Sequence, residues 1–428
     1  MKLGIVGGGI TGLFLAREIS KKGKDEICLF EAEKELGGLS RSLREKTWRW
    51  PLEGFFHHFF TSDDLVKELL TELGLIDKLV YRETKTSVYS HGRISPFDNL
   101  FDFLRFPNLT VFDKLRMGTV LFLLRQLPYF GFFENYRASD IFPKLIGNNG
   151  WQEIWGRLME GKFDRFSKEV SFSWLWSRIK VRSQQLGYLN GGNKQMFDLI
   201  AKQIGKNNRL FLDDPVLKIG PAGNSWLIKS KRRSALVDKI FLTLPLPKAL
   251  KIVKDILPEP ALKKFGKLKM IGALNLILRM KKPFLPQGTY WLNILDTGFP
   301  FIVIVEQTNL VDAGNYGGEN LVYVGGYYSQ EDPIFKQSAG QVLKSFSPGL
   351  KKINADFEKF LIGVNVFSDL CAQPIIPTGY SAIKPSLELI PDKIYWATPN
   401  HIFPWDRGIN YSIRLSKQLF RLHQISAR

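Results

Sequence analysis

Cysteine is scarce in this chain of 428 residues, which contains only Cys28 and Cys371. Two cysteines cannot build a disulfide framework, and Cys28 lies in a predicted strand, so the composition favours a reduced, cytoplasmic setting. Histidine is also rare, with five residues, and the adjacent pair His57 and His58 has no Cys or His cluster around it in the sequence. We therefore expect no metal site.

Long apolar runs are missing as well. No uncharged apolar stretch approaches the length that spans a bilayer, and a predicted strand begins at residue 2 with no signal peptide ahead of it. We expect a chain that does not cross a membrane. No repeat of fixed period and no low-complexity tract is present. With 44% hydrophobic residues, the chain is long enough to bury a substantial core in two or more domains.

Acidic residues are outnumbered, with 41 against 60 basic residues, which leaves a net charge of +19. Such a surplus suits phosphorylated ligands, anionic membrane surfaces or nucleic acid. The basic residues are scattered singly and in pairs, with no recognisable nucleic-acid module, so we expect no nucleic-acid partner. A membrane role and a lysine-rich composition without specific meaning both remain open.

The N-terminus carries the clearest motif. A short apolar run at residues 3–6 predicts a strand, Gly7, Gly9 and Gly12 follow with the spacing G-x-G-x-x-G, and helical periodicity continues to Gly23. In this pattern the first glycine permits a tight turn, the second lets a pyrophosphate approach bare backbone, and the third lets the helix pack on the strand. The helix N-terminus, at Ile10 and Thr11, then offers free amides to the phosphates.

Two further features lie at the expected distance from this motif. A second predicted strand, residues 27–30, ends at Glu31, where a carboxylate can accept hydrogen bonds from ribose hydroxyls. A second glycine pair, Gly37 and Gly38, is followed by Arg41, a forked donor that suits a further wall around the same pyrophosphate.

These residues resemble the FAD-binding N-terminus of the amine oxidase superfamily, which includes protoporphyrinogen oxidases, phytoene desaturases and UDP-galactopyranose mutases. The protoporphyrinogen oxidase-like branch is the most similar. The resemblance implies FAD as the cofactor and a set of residues that bind it: Gly7, Gly9, Ile10, Thr11, Gly12, Glu31, Ala32, Gly38, Leu39, Arg41, Gly54, Phe55, Phe56, Val216, Gly408, Ile409 and Asn410.

In this family a glycine and a histidine-bearing segment pass beside the flavin ring, which corresponds to Gly54 and the residues up to His58. Adjacent residues of an extended segment point to opposite sides, so at most one of His57 and His58 faces the flavin. These two are the only candidates for a catalytic side chain, and satisfied structural histidines are the equally weighted alternative.

The C-terminal motif departs from the family. Most members carry a Gly-Asp pair after the last strand, whereas this chain has Thr398, Pro399 and Asn400. That departure makes Asp406 or Asn400 the candidate substitutes for the ribityl and phosphate contacts. Gly408, Ile409 and Asn410 match the family turn that leads into the terminal helix.

Two segments have more than one interpretation. Residues 97–142 are rich in aromatic and aliphatic side chains with cationic neighbours, broken by Pro107 and Pro128 into short helices. They can form core, line an apolar substrate tunnel, or lie in a membrane interface through residues 97–133. Residues 169–182 predict a helix with Trp174, Trp176, Arg178, Lys180 and Arg182, for which a solvated basic face is favoured over a site for an anionic substrate group.

We predict an α/β fold, with a Rossmann-like FAD-binding domain on a parallel sheet (residues 1–80, 186–246 and 368–428) and a discontinuous α+β substrate domain (81–185 and 247–367). The predicted function is an FAD-dependent oxidoreductase that transfers a hydride between flavin and a small apolar substrate, isoprenoid or porphyrin-like. The alternative is a non-redox sugar-nucleotide isomerase resembling UDP-galactopyranose mutase. The predicted location is the cytoplasm, with the inner face of the membrane as an option, and the sequence sets no oligomeric state.

Overall fold

The computed structural model describes residues 1–181, 183, 185–205 and 208–426. The strands are β1 Lys2–Val6, β2 Glu26–Phe30, β3 Ser42–Leu43, β4 Leu52–Glu53, β5 Phe59–Phe60, β6 Leu79–Glu83, β7 Lys85–Ser90, β8 Arg93–Pro96, β9 Gln185–Leu189, β10 Arg209–Phe211, β11 Val216–Ala222, β12 Ser225–Ser230, β13 Ser234–Val237, β14 Lys239–Leu242, β15 Met270–Met280, β16 Thr289–Ile294, β17 Val303–Glu306, β18 Asn320–Tyr328, β19 Leu361–Pro374, β20 Glu388–Ile390 and β21 Ile394–Trp396. The helices are α1 Ile10–Ser20, α2 Asp64–Glu72, α3 Leu100–Arg105, α4 Val111–Gln126, α5 Ala138–Ile146, α6 Asn148–Gly150, α7 Gly156–Phe163, α8 Phe172–Val181, α9 Lys194–Gln203, α10 Leu246–Val253, α11 Glu259–Gly266, α12 Ala339–Ile353, α13 Tyr380–Ile383 and α14 Ile409–Ser426.

A six-stranded sheet holds the N-terminal motif. Its order is β10-β2-β1-β14-β21-β20, parallel except for the edge strand β20. β1 is continuously buried because it is central and covered on both faces, as parallel strands usually are. After β1 the chain crosses to β2 on one side of β1, whereas β14 pairs with β1 on the other side. This is the switch point at which open α/β sheets bind their ligands.

A seven-stranded sheet forms the second layer, with the order β19-β15-β18-β17-β16-β7-β8. All neighbouring pairs are antiparallel except β16 with β7. Leu274, Leu276 and Leu278 of β15 pack with α12 residues Val342 and Phe346 on one face of the sheet. Because successive side chains of a strand alternate, the residues between these leucines face the opposite way.

This opposite face of the seven-stranded sheet forms one wall of the candidate active site described below. Asn275 of β15 pairs in register with Gly325 of β18 and with Phe367 of β19. Tyr323 and Tyr327 lie on the same face of β18, since they are two residues to either side of Gly325. All five positions therefore project towards the chain segments that connect the two sheets.

The sequence pattern also predicts a hairpin over 80–94, a helix over 139–158, a loop over 186–192 and a meander of strands over 210–244, and the structure differs from several of these predictions. Residues 186–192 read as a loop, but β9 runs through Gln185–Leu189 at the centre of a sheet with β5 and β6. The predicted hairpin over 80–94 is correct for β7 and β8, which turn at His91 and Gly92, whereas β6 pairs with β9. The predicted meander over 210–244 divides: β10 and β14 join the six-stranded sheet, and β11-β12-β13 form a separate one.

The helices of residues 97–181 lie outside both large sheets. α4 begins with a capping box in which Thr110 and Asp113 satisfy each other's backbone amides. Pro107 lies between α3 and α4 and Pro128 follows α4, as predicted. The predicted continuous helix over 139–158 is instead α5, α6, a π-helical turn at Trp151–Trp155 and the start of α7.

The predicted α/β class is confirmed by this architecture. The two large sheets fall largely on the two sets of residues proposed as domains, although β19 continues to Pro374, beyond the proposed boundary at 367. The division into domains stays a proposal. In the described part of the chain, no helix is both long enough and apolar enough to cross a membrane.

Candidate active site

The first glycine loop connects β1 to α1 at the switch point. Gly7 adopts φ +114°, a conformation that favours glycine, and its amide donates to the Phe30 carbonyl at 2.8 Å. A Cβ on Gly12 would lie 2.0 Å from the Gly7 carbonyl oxygen, so only glycine allows α1 this close to the strand. Ile10 and Thr11 form the first turn of α1, where backbone amides have no acceptor within the helix.

The second glycine loop lies directly opposite the first. Gly37 donates its amide to the Gly8 carbonyl at 2.9 Å, and Gly37 and Gly38 both have positive φ. A Cβ on Gly9 would meet nothing nearer than the Gly38 Cα at 3.9 Å. The two loops thus meet through bare backbone in front of the α1 N-terminus, and the space that they border there, which we call the gap, suits a pyrophosphate. FAD fits these residues.

Glu31 closes one end of this gap. Its Oε2 accepts the Gly8 amide at 2.6 Å and its Oε1 accepts the Glu33 amide at 2.9 Å. Burial raises the pKa of the Glu31 carboxyl, and the two amides partly offset that shift. The carboxylate is therefore fixed at the end of β2, where a ribose would bind, with the exposed Ala32 beside it.

Two other predicted contacts lie at the same end. Arg41 pairs with Glu33 at 3.3 Å and keeps about a quarter of its side chain exposed, while Leu39 is half-buried in the short 3-10 turn Gly38–Ser40. Val216 begins β11 two residues after Asp214, whose amide donates to the Glu31 carbonyl at 3.0 Å. The backbone of Val216 is thus held next to the Glu31 end of the gap.

Gly54 links the glycine loops to the seven-stranded sheet. Its amide donates to the Arg41 carbonyl at 3.0 Å, and its carbonyl accepts from Asn275 Nδ2 at 3.5 Å. A Cβ on Gly54 would lie 2.1 Å from a ring carbon of Phe367. Phe55 is half-buried, and Phe56 packs edge-on against Trp291 and Tyr323 of the sheet.

His57 and His58 contact different neighbours, as alternation predicts. His57 donates Nδ1–H to the Phe55 carbonyl at 2.7 Å, which leaves Nε2 to accept from Ser40 Oγ at 3.1 Å. Burial, together with the Arg407 charge, lowers the pKa of His57 to about 4, so its ring is neutral near pH 7. His58 packs edge-on against Phe60 and Trp291. Only His57 thus lies beside the glycine loops.

The C-terminal helix supplies the far wall. Gly408 precedes α14, and Ile409 and Asn410 form its first turn, whose amides face away from the helix body. The Asn410 side chain accepts the Leu65 amide at 3.0 Å, so that side chain fixes α14 to α2. Ser416 of α14 donates to the Thr11 carbonyl at 2.7 Å, which places the two helices side by side.

The two candidate substitutes for the missing Gly-Asp pair differ. Asp406 is engaged by a group of cationic side chains, described next, and is therefore not the substitute contact. Asn400 is fully buried after β21, and its side-chain amide has no hydrogen-bond partner among the described residues. Because these side-chain atoms have no accessible surface, the structure does not place them against a cofactor, and the assignment of Asn400 stays a prediction.

Asp406 lies at the centre of a cluster that the sequence did not predict. Its carboxylate contacts Lys162 Nζ at 3.4 Å and Arg178 Nη1 at 3.2 Å, and it accepts from Trp174 Nε1 at 3.4 Å and Gln373 Nε2 at 3.1 Å. These charges hold the pKa of the Asp406 carboxyl well below its usual range, although burial opposes them. The carboxylate is therefore ionised near pH 7.

Arg407 extends this cluster to the sheet. Its Nε donates to Gln373 Oε1 at 3.0 Å and its Nη2 to Tyr327 Oη at 2.7 Å. Lys162 Nζ lies 5.2 Å from the centre of the Tyr327 ring. We call Lys162, Arg178, Tyr327, Asp406 and Arg407 the cationic cluster.

The α8 interpretation needs correction. The sequence favours an amphipathic helix with a solvated basic face over residues 169–182, and the burial of Trp174 and Trp176 fits that prediction, but Arg178 pairs with the buried Asp406. Lys180 donates to the Arg125 carbonyl at 2.6 Å, and Arg182 lies outside the described residues. The regular spacing of aromatic and basic residues in α8 was the available signal.

Among the residues that the structure describes, no group of three or more His, Cys, Asp and Glu side chains could hold a metal ion.

Comparison with known families agrees with this geometry. Residues 10–396 match the family model described as flavin containing amine oxidoreductase, which covers most of the chain. The chain belongs to the flavin-containing amine oxidoreductase family. Membership confirms the predicted superfamily and FAD as the cofactor, and it makes oxidoreductase the enzyme class.

Curated relatives align with this chain over part of their length. A flavin-containing amine oxidase from Oncorhynchus mykiss is 22% identical over 275 residues, which is 60% of this chain and 52% of the relative. Protoporphyrinogen oxidase 1, chloroplastic, from Spinacia oleracea is 25% identical over 203 residues, which is 44% of this chain and 34% of the relative. The chain thus spans about half or less of the length of these relatives.

Solved structures share the whole fold at low identity. A structure from Exiguobacterium sp., provisionally assigned as a protoporphyrinogen oxidase, aligns with a TM-score of 0.79 at 16% identity and covers 100% of this chain and 98% of that one. A reduced UDP-galactopyranose mutase aligns with a TM-score of 0.76 at 16% identity, covering 100% and 96%. At these identities the likeness establishes the fold.

Proposed function

We propose that this flavoenzyme works at the surface of an anionic membrane and transfers a hydride between FAD and an apolar substrate of the isoprenoid or porphyrin class. The observation that carries the proposal is an exposed apolar surface that continues, through packed aromatic rings, to the residue next to the cationic cluster. We refer to the exposed apolar side chains of α3, α4 and the turn 131–135 as the apolar surface.

The apolar surface differs from ordinary core. Val111 and Phe112 at the start of α4 are 72% and 70% exposed, although both are large hydrophobic residues. Other members of the surface are exposed to a similar degree: Leu100, Phe101, Leu115, Phe122, Leu123 and Phe132. Contiguous exposure of this kind is uncommon in soluble monomers and usually has a partner. The remaining apolar residues of the segment, such as Phe106 and Met117, are core.

Cationic side chains lie among these residues. Arg105 stacks on the Phe101 ring at 4.2 Å, and Lys114 donates to the Leu104 carbonyl at 2.7 Å. Arg116 donates to the Leu145 carbonyl at 2.8 Å, and Arg125 is exposed near the end of α4. An apolar face with cations among it is the arrangement that binds the interface of an anionic bilayer.

The rings lead inward from this surface. The ring centres of Phe132 and Phe133 are 4.9 Å apart, and Phe133 lies 6.0 Å from Trp176. Trp176 lies 5.5 Å from Trp405, the residue before Asp406. Phe133 and Trp176 are buried, so the line is a continuous aromatic core that joins the apolar surface to Trp405. That continuity favours an apolar substrate over a wholly polar one.

FAD supplies the hydride acceptor when it is bound. The chain contributes a dry, shaped environment: the seven-stranded sheet covers Gly54 through Asn275 and Phe367, and His57 stays neutral because it is buried. His57 holds Ser40 beside the second glycine loop. A neutral ring in this place can orient neighbouring groups but does not act as a cationic acid.

An isomerase of the UDP-galactopyranose mutase type is the second candidate. The cationic cluster favours it, since a nucleoside diphosphate carries the matching charge. The apolar side chains that dominate the apolar surface suit an apolar substrate better than a sugar nucleotide, and for that reason hydride transfer is preferred.

Sedimentation with liposomes tests the membrane part of the proposal. Wild-type protein should sediment with anionic phosphatidylglycerol vesicles at low salt and less at high salt, because salt screens the charges. Phe101→Ser/Phe112→Ser should remove most of the binding. The matched control is Leu217→Ser/Leu236→Ser, which changes two other apolar residues that are more than half exposed and should bind like wild type. No sedimentation of wild-type protein at low salt would contradict the proposal.

A further inference from the structure

The cationic cluster carries more positive charge than its own residues neutralise. Lys162, Arg178 and Arg407 contribute three positive charges and Asp406 contributes one negative charge. Asp369 also influences Arg407, but its carboxylate pairs with Lys248 at 3.0 Å, so this pair adds no net charge. Within the described residues the cluster therefore has a surplus of two positive charges.

The pKa of Lys162 reflects this surplus of positive charge. Its side chain is 17% exposed, and burial lowers its pKa, with Arg178 and Arg407 acting in the same direction. Asp406 and Tyr327 act in the opposite direction and do not compensate fully. Placing cations together in a partly desolvated site is costly unless a further anion neutralises them.

Unused donors of the cluster point to the chemistry of that anion. Arg407 uses Nε and Nη2 for Gln373 and Tyr327, and its Nη1 has no acceptor among the described residues. Lys162 Nζ contacts one carboxylate, at 3.4 Å, and lies over the Trp174 and Tyr327 rings at 4.9 and 5.2 Å, so its three N–H donors have no second oxygen acceptor among the described residues. The Tyr327 hydroxyl accepts from Arg407, which leaves its own proton available. Arginine, lysine and tyrosine donors together suit the several oxygens of a phosphate group.

The cluster is also reachable. Arg178 is 39% exposed on its side chain, and Arg407 and Tyr327 are partly exposed. The cationic cluster lies between His57 and the aromatic rings described above. Asp406 follows Trp405 in the chain, and Arg407 lies close enough to His57 to lower the pKa of His57. An anionic group held here would place the rest of a substrate either towards the glycine loops or along the rings.

We propose that Lys162, Arg178, Tyr327 and Arg407 bind a phosphate or diphosphate group of the substrate. This inference rests on the proposed function and adds an anionic head to the apolar substrate. A doubly charged group matches the surplus of two charges, whereas a carboxylate would leave one positive charge unmatched. The group could belong to a prenyl diphosphate or to a nucleoside diphosphate, which share this chemistry.

Titration calorimetry on the FAD-loaded protein tests the inference, since bound FAD occupies the pyrophosphate gap between the glycine loops. Inorganic pyrophosphate should bind, and acetate should bind far more weakly. Arg407→Gln and Lys162→Met should each weaken pyrophosphate binding by roughly tenfold to a hundredfold, the loss of charge-assisted hydrogen bonds. Arg407→Lys should fall between, because it keeps the charge and loses the fork. Arg165→Gln, an exposed arginine paired with Glu331, is the control and should bind like wild type.

Binding of geranylgeranyl diphosphate, geranylgeraniol and UDP distinguishes a prenyl diphosphate from a nucleoside diphosphate as the source of the anionic group. If geranylgeranyl diphosphate binds more tightly than pyrophosphate or UDP, the anionic group belongs to a lipid. If UDP binds more tightly, the group belongs to a nucleotide. Either result supports the anion site. Absence of pyrophosphate binding by wild-type protein at millimolar concentration overturns it, as does equal binding by all variants that retain FAD. Because no turnover is needed, failure of hydride transfer and failure of this site are distinguishable.

Discussion

The Cα of Gly54 lies so close to the ring of Phe367 that a Cβ on Gly54 would come within 2.1 Å of a ring carbon. This contact fixes the distance between the segment that carries His57 and the seven-stranded sheet. The segment is tied on its other side to the second glycine loop, since Gly54 donates to the Arg41 carbonyl at 3.0 Å. The sheet thus sets the position of one wall of the cofactor site.

Gly54→Ala should therefore lower both FAD retention and thermal stability, because overpacking of this kind costs about 1–3 kcal/mol. Adding Phe367→Leu should recover part of the loss by making room. Absorbance of bound flavin and thermal unfolding of the two single variants and the double variant measure this coupling. Gly266→Ala is the control, since a Cβ there meets nothing within 4 Å. Strictly additive effects of the two changes would show that the contact does not position the segment.

Glu31 should be required for FAD retention. Its carboxylate holds the Gly8 amide at 2.6 Å and lies where the ribose hydroxyls would donate, and each charge-assisted bond contributes roughly 1.5–3 kcal/mol. Glu31→Ala should release most of the cofactor during gel filtration, and Glu31→Gln should release less. Glu26→Gln, at the half-exposed start of the same strand, should keep FAD. Full retention by Glu31→Ala would contradict the assignment of this carboxylate.

His401 should make the protein acid-sensitive. It accepts the Thr398 amide at Nδ1, 3.0 Å away, and donates from Nε2 to the Ser386 carbonyl at 3.2 Å, so its buried ring is neutral. Burial lowers its pKa to about 4 from 6.5. The unfolded chain then binds more protons than the folded one between these values, so stability is complete above about pH 6.5 and falls as pH drops towards 4, by about 3 kcal/mol in the limit.

Denaturant unfolding at a series of pH values measures this effect. His401→Gln should be less stable at pH 7 but should lose less stability between pH 6.5 and 4 than wild type does. An unchanged slope in the variant would mean that other groups cause the acid sensitivity.

Local motifs explain what the sequence could predict. Gly7, Gly12 and Glu31 lie within one strand-helix-strand unit, so spacing alone places them together. The alternating and buried patterns of most strands of the seven-stranded sheet are also local, and they predict strands over 271–279, 290–294, 301–306, 320–328 and 362–367. Their order was not, since pairing joins strands far apart along the chain.

The prediction of a loop in place of β9 was wrong because of its glycine. Gly187 suggested a loop, whereas the structure places it opposite Tyr81, and a Cβ on Gly187 would lie 2.7 Å from that ring. Glycine in a strand often marks such a close approach. A pattern read along one strand does not reveal the partner across it.

The cationic cluster was missed for a related reason. Lys162, Arg178 and Asp406 come from three separate elements, and each alone resembles an ordinary surface charge in the sequence. The helical spacing of Trp174 and Arg178 was visible, but the carboxylate that turns this face inward lies near the C-terminus. Only the folded chain brings the charges together.

Anaerobic stopped-flow spectroscopy of the FAD-loaded protein tests the central claim of hydride transfer most directly. Substrates of the polyprenyl, porphyrinogen and UDP-sugar classes would be mixed with oxidised and with dithionite-reduced protein. A hydride-transfer enzyme ends each turnover with its flavin in the opposite redox state, so we predict that one apolar substrate bleaches the oxidised flavin band, or restores it from the reduced form, in one stoichiometric step. Conversion of a UDP-sugar by the reduced protein without net flavin oxidation would contradict hydride transfer and establish the isomerase.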